Sequence, residues 1–239
     1  MEKEQFISAI TEYSSSIKVV LSEEQKEMFY NYMNILLEWN QKINLTTITK
    51  PEDIIIKHFI DSLTVLKYIK NEKINIIDIG TGAGFPGIPI KIANDLNNIT
   101  LLDSLNKRIV FLQNVINELK LKDIVAVHSR AEEYIKLEKR EIYDIAVSRA
   151  VANMSTLLEY LLPYVKINGI CICMKGPNIE EELENSKKAL SILGGKIVNI
   201  DNFELPDGSK RNIIIVKKIK NTPMKYPRIN NKPLKEPIK

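Results

Sequence analysis

Apolar positions change period near residue 70. Upstream they recur at helical spacing, and after Ser22 the residues Met28, Tyr32, Ile35, Leu36 and Trp39 fall on one face of a helix. Ser22 followed by Gln25 is the pattern of a capping box. Thr49 with Glu52 predicts a second one, with Pro51 in the first turn, where its missing N–H costs little. Residues 39–46 are polar and Asn-rich and read as a loop, and the first 70 residues contain no glycine. From about residue 74, short runs of Ile, Val and Leu alternate with helical stretches. The pattern predicts strands at 74–79, 100–102, 124–127, 143–147 and 169–174, and helices at 87–95, 106–120, 131–137, 153–165 and 179–193. β-Branched strands separated by helices predict a mostly parallel sheet covered on both faces, with crossovers long enough for right-handed βαβ units. Two more strands are expected near 196–200 and 212–218. Leu205-Pro206-Asp207-Gly208 between them is a turn sequence, so this last pair is predicted to be antiparallel.

Composition adds a boundary. With 44% hydrophobic and 27% charged residues, a chain of 239 residues can bury a sizeable core, and wholesale disorder is excluded. The net charge of +4 is small, but it is unevenly placed: −2 over residues 1–70, zero over 71–200 and +6 over 201–239. Residues 219–239 hold four prolines, six Lys/Arg and one acid, and the proline spacing predicts a tail without helix. The division is therefore a helical segment (1–70), an α/β domain (71–218) and a basic, Pro-rich tail (219–239). A polyanionic partner is expected at the tail.

Other classes lack their signatures. Apolar runs are far shorter than a membrane span, and the N-terminus has no signal-peptide pattern. Two histidines, His58 and His128, make a dedicated metal cage unexpected. Cys171 and Cys173 would sit on the same side of one strand, poorly placed to bridge, and read as buried strand fillers. These features point to a reduced, cytoplasmic protein, and nothing in them demands more than a monomer.

Four of the nine glycines fall within Asp78-Ile79-Gly80-Thr81-Gly82-Ala83-Gly84-Phe85-Pro86-Gly87, between a strand and a helix. Backbone must approach a ligand there without hindrance from a Cβ. The spacing is G-x-G-x-G, unlike the G-x-G-x-x-G of dinucleotide sites, and no Gly-Lys-Ser/Thr follows. Asp78, two residues before the first glycine, suits a cationic ligand better than a pyrophosphate. The next strand ends at Asp103, placed to accept ribose hydroxyls or else to cap helix 106–120. The third is followed by His128-Ser129-Arg130-Ala131-Glu132, where an adenine would meet backbone N–H groups and Ala131.

In these motifs the chain resembles the RsmG (GidB) family, bacterial methyltransferases of guanine N7 in the decoding-region loop of 16S ribosomal RNA. The resemblance is carried by Trp39-Asn40-Gln41-Lys42-Ile43-Asn44-Leu45-Thr46, Lys57-His58-Phe59-Ile60-Asp61-Ser62-Leu63, the Asp78 to Gly87 loop and Leu102-Asp103-Ser104-Leu105-Asn106-Lys107-Arg108. Ser129-Arg130-Ala131-Glu132, Ser148-Arg149-Ala150, Lys175-Gly176 and Tyr226-Pro227-Arg228 continue the series. It implies a Rossmann-like class I S-adenosylmethionine-dependent fold with a seven-stranded, mostly parallel sheet and an N-terminal helical extension. It also implies cofactor contacts at Gly80, Phe85, Ala131, Glu132 and Arg149. The reading of the strand ends adds Gly82, Gly84 and Asp103.

Methylation of guanine N7 uses an in-plane lone pair and needs no general base; no Asn/Asp-Pro-Pro-Tyr/Phe motif of amine methylation is present. Catalysis would then rest on proximity and on donors that relieve developing charge. Arg149 and Lys175, each after a strand, are the candidate donors to the guanine or a neighbouring phosphate. His58 reads as a satisfied, partly buried residue without assigned chemistry, and Trp39, Tyr30 and Tyr32 as core. Lys225, Arg228, Lys232 and Lys235 are the candidate RNA-binding residues, and removal of 221–239 is expected to weaken RNA binding while sparing the cofactor. Two rivals are a nicotinamide-dependent oxidoreductase, disfavoured by the glycine spacing and Asp78, and a non-catalytic ribosome-assembly factor that keeps the fold.

Overall fold

Strand alternation builds the molecule. The computed structural model describes residues 1–239 apart from Leu137, Ala150 and Val151. Among the described residues, seven strands form one sheet in the order β3-β2-β1-β4-β5-β7-β6. They are β1 (Asn75–Ile79), β2 (Asn98–Asp103), β3 (Ile124–His128), β4 (Tyr143–Arg149), β5 (Val165–Lys175), β6 (Gly195–Glu204) and β7 (Lys210–Lys218). The first five pair in parallel, and β7 runs antiparallel to both β5 and β6. Successive side chains point to opposite faces. Accordingly Ile172, Met174, Ile213 and Ile215 enter one core, and Cys171, Cys173, Ile214 and Val216 the other. Both cysteines are buried and unpaired, and burial pushes the Cys173 thiol up to about 12.

The N-terminal segment is one of the layers. Helices α1 (Lys3–Ser16) and α2 (Glu23–Asn40) bring Phe6, Phe29, Tyr32 and Leu36 into the same core as Ile76, Ile88 and Phe111. Trp39 packs edge-on against Phe111, and Tyr32 is fully buried, in keeping with core roles. The Ser22–Gln25 capping box forms, and Gln25 Nε2 also donates to the carbonyls of Ile92 and Ala93, which ties α2 to the crossover after β1. The second box does not form. Lys50, without a side-chain cap, precedes helix α3 (Pro51–Ile54), so Thr49 lies one residue too early to cap it. A wider turn (Ile55–Ile60) and helix α4 (Asp61–Leu63) follow, and then a 3₁₀ turn (Thr64–Tyr68).

The crossovers are α5 (Gly87–Ala93), α6 (Asn106–Glu118), α7 (Ala131–Tyr134), α8 (Met154–Leu161) and α9 (Glu180–Leu193). The helix expected over 131–137 stops at Tyr134, and its last position, Leu137, lies outside the described residues. β6 runs from 195 to 204, longer than its apolar stretch suggests, because pairing with β7 holds it.

The tail departs most from expectation. It is packed on α8 and contains a short helix, α10 (Lys232–Lys235), with Pro233 in the first turn, where proline is tolerated. Tyr226 and Ile238 are buried in the core on the α8–α9 side of the sheet. Arg140 donates to the carbonyls of Thr222 and Tyr226, and Thr156 Oγ1 donates to the Pro233 carbonyl at 2.7 Å.

Candidate active site

Strand order reverses between β1 and β4, and the carboxyl edge of the sheet opens there, as expected for ligand sites in open α/β sheets. A cleft of about 540 Å³ lies over that edge. Its floor is the turn after β1, held to β2 by Gly80 N–H and Thr81 N–H, which both donate to the Leu102 carbonyl. The Ser148 hydroxyl at the end of β4 donates to the Ile79 carbonyl at 2.7 Å, which fixes the two strand ends side by side.

The glycines divide the work. Gly82 has φ +62°, and a Cβ built on it would meet nothing within 4 Å, so it faces the open cleft. Gly84 does not line the cleft, against expectation. With φ +95°, its missing Cβ would lie 2.6 Å from Ile88 Cδ1 and the Tyr32 hydroxyl, so it is required for packing against the helical layer. Asp78 also differs from its expected role. It is fully buried, and its Oδ2 accepts from Thr81 Oγ1 (2.6 Å) and Gly87 N–H (2.9 Å), which braces the loop from below. Burial raises its carboxyl to about 6, and Oδ1 has no hydrogen-bond partner among the described residues.

Asp103, at the end of β2, lines the cleft. Its oxygens accept from Gly82 N–H (3.0 Å), Leu105 N–H (2.9 Å) and Arg108 Nη1 (3.1 Å). It thus joins the glycine loop to the start of α6. Ala131 and Glu132 line the same cleft. Glu132 is 4% exposed and its Oε1 has no hydrogen-bond partner among the described residues. A buried carboxylate oxygen without a donor is costly, and a ligand N–H would satisfy it.

Arg149 ends β4 beside a second hollow of about 240 Å³, which shares Arg149 and His58 with the main cleft. Its guanidinium donates through Nη1 to the Lys57 carbonyl (2.9 Å) and Asp61 Oδ2 (3.1 Å), and through Nη2 to His58 Nδ1 (3.0 Å). Ala150 of the same motif lies outside the described residues. A guanidinium only donates, so His58 Nδ1 accepts and the ring carries its proton on Nε2, which donates to Thr46 Oγ1 at 2.9 Å. Burial, reinforced by the Arg149 charge, holds His58 down at about 3. The His58 ring stacks on Phe85 at 4.4 Å between centroids, and the Arg149 guanidinium lies over the same Phe85 ring at 5.0 Å.

Sequence reasoning left His58, Leu45 and Thr46 out of the site, yet all three line the cleft. The signal was available in the Asn-rich loop. Asn40 Oδ1 accepts from the N–H groups of Leu45 and Thr46, and so presents Thr46 to His58. Lys175 lines the smaller hollow with Arg149, but its ammonium is committed to Glu182 Oε2 (2.6 Å) and the Ala152 carbonyl.

In the tail, Lys225, Lys232 and Lys235 are exposed, whereas Arg228 is held in an ion pair with a buried acid. Its Nε and Nη2 donate to both oxygens of Glu159, which is fully buried, so the guanidinium is the counter-charge of a core carboxylate. Asn231 and Leu234 line the main cleft, so the tail is one of its walls. Removal of 221–239 would therefore take away part of the cleft's lining.

Comparisons with known proteins identify the family and the fold. Residues 25–214 match the GidB family model, described as rRNA small subunit methyltransferase G. The chain is 54% identical over 231 residues to the ribosomal RNA small subunit methyltransferase G of Acetivibrio thermocellus, covering 96% of this chain and 95% of that one. It is 51% identical over 237 residues to the protein of the same name from Clostridium botulinum, at 98% and 99% coverage. Among solved structures, a SAM-dependent methyltransferase from Aquifex aeolicus superposes with a TM-score of 0.52 at 18% identity, over 77% of this chain and 98% of that one. M. jannaschii TYW2 in complex with AdoMet gives 0.54 at 15% identity, over 67% and 76%. At such identities these structures speak for the fold alone, which is that of the Rossmann-like class I methyltransferases. The match to the family model and to relatives of half-identical sequence along nearly their whole length places the chain in the GidB family, the rRNA small subunit methyltransferases G.

Proposed function

We propose that this protein transfers a methyl group from S-adenosyl-L-methionine to N7 of a guanine in 16S ribosomal RNA of the small ribosomal subunit, in the decoding-region loop. The observation that carries the reading is the convergence at one strand edge of the open glycine turn, Asp103, the unpartnered Glu132 carboxylate and the Arg149–His58–Phe85 stack. The residues fit an adenosyl cofactor. Asp103 would hold the ribose hydroxyls, Glu132 and Ala131 the adenine, and Gly80 and Gly82 the approach along the loop. Bound there, the cofactor supplies a methyl group activated on a sulfonium.

The rest is positioning. Guanine N7 presents its lone pair in the ring plane, so no proton need leave before transfer, and the neutral, acceptor-bound His58 is suited to orientation rather than to acid–base work. Arg149 is held by three acceptors, and among the described residues its Nε–H and second Nη2–H have none. These two donors would orient the acceptor base from the smaller hollow through its O6 or a neighbouring phosphate; the contribution is positional, because N7 gains the positive charge the sulfonium loses and a cation cannot relieve it. Lys175, paired to Glu182, supports the turn at Ala152 and is a positioning residue in this reading.

The RNA contacts are assigned to Lys225, Lys232 and Lys235, with phosphates as their partners. Such contacts make affinity fall steeply with salt. The protein would act as a cytoplasmic monomer; no described helix is long and apolar enough to cross a membrane. Incubation with labelled S-adenosylmethionine and unmodified small subunits should label 16S RNA, with 7-methylguanosine as the only labelled nucleoside. Arg149→Ala should lose transfer far more than it weakens S-adenosylhomocysteine binding. Normal transfer by that variant would remove Arg149 from the mechanism. Cofactor binding without transfer by the parent protein to any form of the subunit would favour the assembly-factor alternative.

A further inference from the structure

Of the two C-terminal residues that line the cleft, Asn231 makes a defined bond there. Asn230 and Asn231 take left-handed conformations in succession, φ +61° and +59°, a conformation asparagine tolerates better than most residues. This reversal is pinned on both sides: upstream by Arg228 on the buried Glu159, downstream by the Thr156 hydroxyl on the Pro233 carbonyl. It sets the Asn231 side chain against Arg130, whose Nη1 donates to Asn231 Oδ1. Arg130 also lies close to Glu132, with Nη1 3.9 Å from Oε1, too far to hydrogen-bond the atom that has no hydrogen-bond partner among the described residues. Glu132 is buried and lines the cleft, while the Arg130 side chain is about half exposed and has room to move.

We propose that Asn231 is a cofactor-positioning residue: it holds Arg130 away from Glu132 and so keeps that carboxylate oxygen open to an N–H donor of the adenine. The inference rests on the reading of the cleft as an S-adenosylmethionine site. Without the carboxamide, Arg130 has one strong acceptor within reach, the unpartnered Glu132 oxygen. A charge-assisted bond between them would occupy the atom the ligand needs. The tail thus takes part in recognition of the adenosyl group, beyond packing against α8.

The test uses the full chain and four variants, with S-adenosylhomocysteine and 5′-methylthioadenosine titrated calorimetrically. The second probe carries adenine and ribose without the amino acid. Asn231→Ala should weaken both probes about tenfold, with a melting temperature near that of the parent. In methyl transfer, the KM for the cofactor should rise and kcat should be unchanged. Asn231→Asp, which keeps an acceptor for Arg130, should retain parental affinity. In an Arg130→Ala background, adding Asn231→Ala should change neither Kd further, because the residue acts through Arg130. Parental affinity in Asn231→Ala would overturn the proposal. Equal losses with and without Arg130 would also overturn it, and would show that the tail acts by direct contact or by folding. If the parent chain binds neither probe, the cofactor reading itself fails, and that outcome is separate from the others.

Discussion

Replacing Arg228 by alanine removes the side-chain partner of a carboxylate that no water reaches. Glu159 is fully buried, and both its oxygens are engaged by Arg228: Nε at 2.9 and 3.2 Å, Nη2 at 2.7 Å, and the Arg228 backbone N–H at 2.7 Å. The backbone donor survives the substitution, but the charge is left uncompensated. Breaking a buried pair by removing one partner costs about 3–5 kcal/mol, and the surviving N–H places this case near 3. For a chain of this size, that corresponds to a fall in melting temperature of roughly 6–12 °C. The substitution also frees the tail, because Arg228 lies three residues before Asn231, which lines the cleft. Differential scanning calorimetry of Arg228→Ala, Glu159→Gln/Arg228→Met and the parent separates the contributions. The double variant should recover most of the stability, since no buried charge remains. A single variant that melts within 2 °C of the parent would refute the packed tail and restore Arg228 to the pool of exposed cations.

Other outcomes follow from the site. His58 titrates at about 3 in the fold against about 6.5 in an unfolded chain, so the unfolded state takes up its proton first as pH falls. Its contribution is complete above about pH 6.5 and is lost on going down to about pH 3, at up to about 1.4 kcal/mol per pH unit; urea midpoints of the parent and His58→Asn should converge across that window. Gly84→Ala should lower urea stability by roughly 2–4 kcal/mol, because the new Cβ meets Ile88 and Tyr32 in a left-handed conformation. Gly82→Ala should cost only about 1–2 kcal/mol, yet weaken S-adenosylhomocysteine by tenfold or more in calorimetry, because its Cβ projects into the open cleft. Lys232→Glu with Lys235→Glu should lower RNA affinity in filter binding and reduce the salt slope by about one for each phosphate no longer neutralised, with cofactor affinity unchanged.

The parts of the molecule governed by local periodicity were legible in the sequence. Alternating Ile and Val runs gave the parallel sheet and its antiparallel end, and the glycine cluster marked the strand edge where the cleft lies. What was hidden depends on contacts between distant segments. His58 looked like a core histidine because its apolar neighbours are visible in sequence, whereas its bonds to Thr46 and to Arg149, 91 residues away, are not. Gly84 and Asp78 looked like ligand residues because motif and scaffold share one loop, and only packing against Tyr32 and Gly87 separates the two uses. The tail was misjudged for a related reason. Proline spacing and positive charge describe a solvated arm, but a single buried acid on α8 turns Arg228 inward, and the chain follows it.

The central claim is met most directly by cleavage of 16S ribosomal RNA with borohydride and aniline, which breaks the chain at N7-methylguanine. RNA from cells that carry the gene should show one cut in the decoding-region loop of the small subunit. RNA from cells lacking the gene, or carrying only Arg149→Ala, should not show it. A cut that persists in cells without the gene, or no cut in either, would contradict the assignment of this chain as the guanine-N7 methyltransferase.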